Sequence, residues 1–276
     1  MIEINKIYNE SCLETLSRIP DNSIDLVITS PPYNMNLRIR NGKYCSRQIV
    51  KEFSTKYENF DDNIPIEEYY KFHFKVLKEL LRTSNIIFYN IQIVTGSKRA
   101  IFKIIGELSD YLKDIIIWDK GYAQPAMAQN VLNRRTELIL IFDAKDAISR
   151  QFKKANFKRG TLDDLWLIKR GKKITSSHSA VFPEELVKNI IENFSDEGDL
   201  IYDPFMGTGT TAYVAKLLNR NYLGSKLTSR YYEVINKRLS ELKCQISLKK
   251  YSQRNEKTFI NYIFIDNYLY ECTNEK

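Results

Sequence analysis

Residues 28–33 read Ile-Thr-Ser-Pro-Pro-Tyr. A hydrophobic, β-branched run ends there in a small hydroxyl, two rigid prolines and an aromatic ring. The proline rings lock φ, so the carbonyl of Pro31 is held in a fixed direction. That carbonyl and the Ser30 hydroxyl are hydrogen-bond acceptors, and the Tyr33 ring is a flat surface on which another ring can stack. A plain turn rarely needs all three features in this order.

A second stretch with chemical content is Asp203-Pro-Phe-Met-Gly-Thr-Gly-Thr-Thr, residues 203–211. A strand ends at Asp203-Pro204-Phe205, Gly207 and Gly209 follow, and a helix begins near Thr210. Glycines at such a point permit a tight turn and close approach of the backbone to a ligand. The free N–H groups of the helix start favour an anionic group such as a carboxylate. A phosphate-binding P-loop would need Gly-Lys-Ser/Thr, and no lysine follows Gly209. The dinucleotide fingerprint would need a third glycine, whose place Ala212 fills only loosely.

The elements that must position these stretches alternate along the chain. Strand-like runs are SIDLVITS, NIIFYNI, LKDIIIWD, TELILIFD, GDLIYDPF and RNYLGSKL. Helix-like runs lie between or after them: IEEYYKFHFKVLKELLRT, GSKRAIFKIIGELSDYL, PEELVKNIIENF, TTAYVAKLLN and SRYYEVINKRLSELK. In the first helix Tyr69, Phe72, Val76, Leu77 and Leu80 fall at helical spacing, and Pro183 opens the first turn of the third. The pattern predicts a doubly wound α/β sheet with helices on both faces.

Composition narrows the class. The 276 residues suffice for a substantial core, and 43% of them are hydrophobic. No run of about 18 apolar residues occurs, so no transmembrane helix is expected. The first ten residues show no basic-then-apolar secretion signal. Cys12, Cys45, Cys244 and Cys272 lack metal-ligand spacing and only His73 and His178 are present, so neither zinc nor a disulfide framework is expected. Reduced thiols in a bacterial-type cytoplasm fit best. The formal charge of +8 points to an anionic partner, nucleic acid first. Two polar stretches carry much of it, residues 35–62 and 144–177. The second holds ten Lys and Arg against three Asp. Either both stretches are solvated loops or they face a phosphate backbone. The tail, TFINYIFIDNYLY, is expected to pack on the domain or on a second subunit.

Taken together, ITSPPY and DPFMGTGTT resemble the amino-methylating DNA methyltransferases, of the TSPPY type. HSAVFPEELVKNII (178–191) is similar to the family segment that closes over the methionine end of the cofactor, and TELILIF to a late strand of the catalytic half. The likeness covers residues 1–242. The catalytic motif comes first and the cofactor motif last, the circularly permuted order called the beta class. The resemblance implies a Rossmann-like S-adenosylmethionine-dependent methyltransferase fold. It implies a catalytic half at 1–143, a short basic target-recognition region at 144–177, a cofactor half at 178–245 and an extension at 246–276. It also implies S-adenosyl-L-methionine as cofactor, double-stranded DNA as substrate, and a companion restriction endonuclease. A homodimer rests on family likeness alone.

Residue roles follow from the same likeness. The target is a poorly nucleophilic exocyclic amine on a base flipped from the helix. Tyr33 would stack on that base, while Ser30 and the Pro31 carbonyl, held rigid with Pro32, would accept its amino hydrogens and aim the nitrogen lone pair at the methyl group. No covalent nucleophile and no histidine base is required. Thr29, Phe182, Asp203, Phe205, Gly207, Thr208, Gly209 and Thr210 would contact the cofactor. Lys153, Lys154, Lys158, Arg159, Arg170, Lys172 and Lys173 would face DNA. Thr-Ser-Pro-Pro-Tyr matches the members that modify cytosine at N4; adenine N6 is the alternative, and a catalytically weak DNA-binding subunit a third reading.

Two positions depart from the family pattern. Lys226 stands where an acidic residue usually binds the cofactor ribose, and Ser11 where an aspartate usually enters the cofactor pocket. Lysine accepts no hydrogen bonds, so it cannot replace that acid. Glu10 is the neighbouring acid that could swing in.

Overall fold

A computed structural model describes residues 2–34, 38–40, 43–45, 64–123, 126, 129–171, 182–254, 261–265 and 268–272. In chain order the elements are β1 (Lys6–Tyr8), α1 (Cys12–Ser17), β2 (Ile24–Thr29), β3 (Arg38–Arg40), β4 (Lys43–Cys45), α2 (Ile66–Thr83) and β5 (Ser84–Ile91). Next come α3 (Lys98–Glu107), β6 (Leu112–Asp119), β7 (Thr136–Asp143), β8 (Leu165–Leu167), α4 (Glu184–Phe194), β9 (Leu200–Asp203) and α5 (Thr210–Leu217). The last are β10 (Asn221–Ser225), α6 (Ser229–Arg254), β11 (Asn261–Ile265) and β12 (Tyr268–Cys272). The chain divides into two compact units, residues 1–235 and 236–276.

The first unit is built on an eight-stranded sheet in the order β1-β10-β9-β2-β5-β7-β6-β8. Neighbours are parallel except β7, which runs antiparallel to both β5 and β6. The helices that pack beside the sheet fall into two groups, α1–α2–α3 and α4–α5. This is a doubly wound α/β architecture. In the second unit β11 and β12 pair as an antiparallel hairpin.

The central strands β2, β5 and β7 are hydrophobic runs rich in β-branched residues and largely buried. Leu26, Val27 and Ile28 in β2 are fully buried, as are Ile139 and Phe142 in β7. Helix α2 turns Tyr69, His73, Val76, Leu77, Leu80 and Leu81 inward, a stripe at spacings of three and four. Its last turn is anchored by Arg82, which donates to the carbonyls of Leu16 and Ile19 and pairs with Asp21 and Glu79.

Several boundaries differ from the sequence pattern. Pro183 is the N-cap of α4 rather than a residue of its first turn. Helix α3 stops at Glu107, and α6 continues to Arg254. The three-residue strands β1 and β8 are too short for periodicity to mark; sheet pairing alone makes them strands.

One glycine is dictated by packing. Gly209 has φ +80°, and a Cβ there would lie 2.7 Å from Cγ2 of Ile235. Isoleucine is stiff at χ1 and cannot swing away. Gly209→Ala should therefore lower stability by about 1–3 kcal/mol in urea unfolding; an unchanged midpoint would contradict this packing.

Candidate active site

Strands β2 and β9 lie side by side and parallel, with Val27 opposite Tyr202, so both end at the same edge of the sheet. There the Thr29 hydroxyl donates to Oδ1 of Asp203 at 2.7 Å. Asp203 also accepts from the N–H of Phe205 and from the Thr211 hydroxyl, each at 3.0 Å. Burial pushes the Asp203 carboxyl up to about 6, opposed by these three hydrogen bonds and by the charge of Lys226. One buried carboxylate thus ties the strand before Ser30 to the glycine turn and the first turn of α5.

The Ser-Pro-Pro-Tyr segment is held from several sides. The Pro32 carbonyl accepts from the Tyr69 hydroxyl at 2.8 Å. Asn34, at φ +53°, donates to the carbonyls of Ile64 and Gly96 and accepts from the N–H of Ile64. A Cβ on Gly96 would lie 2.1 Å from the Asn34 carbonyl oxygen, so only glycine fits there. Tyr33 is 8% exposed and belongs to the apolar core. Stacking of a base on its ring therefore needs that packing to open.

A polar cluster surrounds the Tyr33 hydroxyl. It donates to Oε2 of Glu137 at 2.8 Å and lies 2.8 Å from the Ser30 hydroxyl. The Asn90 amide donates to Tyr33 at 2.7 Å, to Glu137 at 2.8 Å and to Ser30 at 3.3 Å. Lys120 donates to the other oxygen of Glu137 at 2.9 Å. Burial holds Lys120 below the ordinary lysine range, and Glu137 is the main group acting against that. Asn90, Lys120 and Glu137 are absent from the sequence-based site. The only signal for them was polar residues at the ends of runs otherwise apolar.

On the cofactor side, Thr208 and Thr210 are buried around the glycine turn. The Phe205 ring packs near Phe72 and His73, and Phe182 meets Trp118 edge-on. His73 is fully buried and pushed down to about 3 by that burial, so it is neutral. Ser11 accepts from the N–H of Leu13 as the N-cap of α1, in a reciprocal box with Glu14. Glu10 is committed to Arg18 and to the Thr15 hydroxyl. The Lys226 ammonium lies 4.7 Å from the centre of the Tyr231 ring. Glycine turn and helix start fit the amino-acid end of S-adenosylmethionine. Ser11 and Lys226, the two positions that depart from the family pattern, supply no carboxylate.

The basic stretch is split by the sheet. Lys154 pairs with Asp25, Asp196 and Asp199, residues at the opposite ends of β2 and β9 from Thr29 and Asp203. Lys153 pairs with Asp146, and Phe152 packs on Phe194 at the end of α4. Lys153 and Lys154, expected to face DNA, are thus paired with acidic residues at the edge of the sheet opposite Thr29 and Asp203, and Lys153 stays largely exposed. Lys158 and Arg159 are exposed in the turn before β8. Strand β8 runs parallel to β6 toward the motif edge, where Arg170 is exposed and its charge reaches Lys120. Trp118 and Trp166 are buried packing residues. Lys172, Lys173 and His178 lie outside the described residues.

A mostly parallel sheet sets a glycine turn beside a proline-rigid acceptor at the carboxyl ends of adjacent strands, where open α/β sheets bind ligands. The chain belongs to the DNA methylase family of N6- and N4-methyltransferases, whose model it matches over residues 24–237. Among curated proteins it is 29% identical over 272 residues to "Type II methyltransferase M.BglII" of Bacillus subtilis, covering 86% of this chain and 69% of that one. It is also 29% identical over 261 residues to "Type II methyltransferase M.HinfI" of Haemophilus influenzae, covering 87% and 69%. Its fold is similar to the solved PvuII DNA methyltransferase (cytosine-N4-specific), with TM-score 0.61 and 16% identity over 87% of this chain and 94% of that one. A second solved structure, the M1.HpyAVI–SAM complex, gives TM-score 0.55 and 20% identity over 85% and 99%. The chain is thus an S-adenosylmethionine-dependent DNA methyltransferase. Among the described residues no helix is long and apolar enough to cross a membrane.

The raised Asp203 carboxyl has a consequence for stability. Its protonated form favours the fold, so its contribution is complete below the ordinary value of 3.8 and is lost as pH rises through about 6. Two pH units correspond to roughly 3 kcal/mol. The stability of the native protein minus that of Asp203→Asn, from urea unfolding, should fall by roughly 2–3 kcal/mol between pH 4 and pH 7. A difference that does not change with pH would contradict the burial cost.

Proposed function

We propose that this chain is a beta-class, TSPPY-type enzyme that methylates the exocyclic N4 of a flipped cytosine in double-stranded DNA. Its biological role is then the modification component of a restriction–modification system, alongside a companion endonuclease. The observation that carries the reading is the bond from Thr29 to Asp203, which sets Ser30 beside the glycine turn. Serine first in the tetrapeptide supplies a neutral acceptor, the pattern of the cytosine members. The naming of two relatives as type II methyltransferases supports the restriction–modification setting.

In this reading Ser30 and the Pro31 carbonyl hold the two amino hydrogens, and Tyr33 bounds the ring. When bound, S-adenosylmethionine supplies an electrophilic methyl group. Gly207, Thr208, Gly209 and Thr210 would hold its carboxylate at the start of α5, with Phe205 and Phe182 against its apolar parts. Asp203 holds the turn itself, since its oxygens are engaged by Thr29, Phe205 and Thr211. The halves at 1–143 and 178–245 then form one catalytic domain. DNA contacts come from Lys158, Arg159, Arg170, Lys172 and Lys173 within the 144–177 insert.

Transfer from labelled S-adenosylmethionine to duplex DNA of mixed sequence, followed by digestion to nucleosides, tests this. Label in N4-methylcytosine is expected. Label in N6-methyladenine would overturn the base assignment, and bound DNA without label would favour a catalytically weak DNA-binding subunit.

A further inference from the structure

The polar cluster beside Ser30 has a direction. Glu137, as a carboxylate, only accepts, so the single Tyr33 proton is committed to it. The contact between the Ser30 and Tyr33 hydroxyls, 2.8 Å long, must then be donated by Ser30. The Asn90 amide turns its NH₂ toward Tyr33 and Glu137, since its oxygen would meet an acceptor there. That leaves Asn90 Oδ1 buried with no hydrogen-bond partner among the described residues, in a side chain 1% exposed.

From this geometry we propose that Ser30, Tyr33 and Glu137 form a proton relay that drains the target amine during methyl transfer, with Glu137 as the terminal acceptor. The inference rests on the reading of Ser30–Tyr33 as the segment that holds that amine. The base nitrogen gains the methyl carbon as that carbon's bond to sulfur breaks, and the nitrogen must then lose a proton. That proton passes to the Ser30 oxygen, the Ser30 proton to the Tyr33 oxygen, and the Tyr33 proton to Oε2 of Glu137. Ser30 and Tyr33 end unchanged and Glu137 ends protonated.

The surroundings of Glu137 suit this task. Lys120 lies on its other oxygen, and Arg170 acts on Lys120. Arg135, two residues before it, is taken up by Asp119 through two bonds of 2.6 and 2.7 Å. Glu137 also lines an open cavity of about 330 Å³ with Ile93, Leu132, Arg134 and Thr136. This gives the proton a route to water. Glu137 touches the base only through Tyr33 and Ser30, so it is a positioning residue with a proton-accepting task.

The test is single-turnover transfer of labelled methyl to unmethylated duplex DNA of mixed sequence, from pH 5 to 9, with the full chain. Native protein, Glu137→Gln and Glu137→Asp are compared, and S-adenosylmethionine binding is measured for each. Glutamine keeps the size and an acceptor oxygen but takes no proton. The expected result for Glu137→Gln is a rate lower by on the order of 10²-fold, binding unchanged within about twofold, and loss of the fall in rate toward acid pH. Glu137→Asp should regain part of the rate and the acid limb. Native rate and profile in Glu137→Gln would overturn the relay. So would a slower rate with an unchanged pH profile and weakened cofactor binding, which marks a structural role. Native protein that transfers no label would instead sink the reading on which the relay rests.

Discussion

Everything at the active edge depends on a buried carboxylate held between two strands 174 residues apart in sequence. Asp203 ends β9 and Thr29 ends β2. Their bond makes the acceptor segment and the glycine turn one object rather than two loops. Hydrogen bonds to charged groups contribute about 1.5–3 kcal/mol, and Asp203 makes three. Burial works against them, since it pushes the carboxyl up to about 6. The carboxylate is therefore held in place by its partners rather than by any intrinsic preference for the interior.

From that junction the rest of the site follows outward. Tyr69 from α2 supports the Pro32 carbonyl, and Gly96 lets Asn34 close the loop. Strands β5 and β7 bring Asn90 and Glu137 under the Tyr33 hydroxyl. The antiparallel direction of β7 matters here: it brings the start of that strand, where Glu137 sits, to the edge where β2 and β5 end. A parallel strand in that place would have put Glu137 at the far edge, with Lys154 and its acids.

Much of the fold was legible because its strands and helices carry strong local signals. LKDIIIWD and TELILIFD are strands over the lengths the sequence marks, and α2 covers the whole of its periodic run. The acceptor segment and the glycine turn were legible as motifs. What escaped is set by pairing across the chain. Strands β1 and β8 exist only through their neighbours. The sequence pattern marks Ser11 only as a pocket position, and the structure shows it also caps α1 through Leu13 and Glu14. The charge of Lys154 was visible, but not the three aspartates that occupy it. Asn90 and Glu137 looked like the polar ends of buried strands, because sequence does not state which strand lies opposite.

A double-mutant cycle on the Thr29–Asp203 bond tests the central claim most directly. The stabilities of the native protein, Thr29→Val, Asp203→Asn and the double variant would be measured by urea unfolding at pH 7, with methyl-transfer rates on the same four proteins. If this bond joins the two motifs, the double variant loses much less than the sum of the single losses, with a coupling of about 1–3 kcal/mol, and the rates are coupled in the same way. Losses that add within about 0.5 kcal/mol would contradict it, leaving the acceptor segment and the glycine turn as independent neighbours.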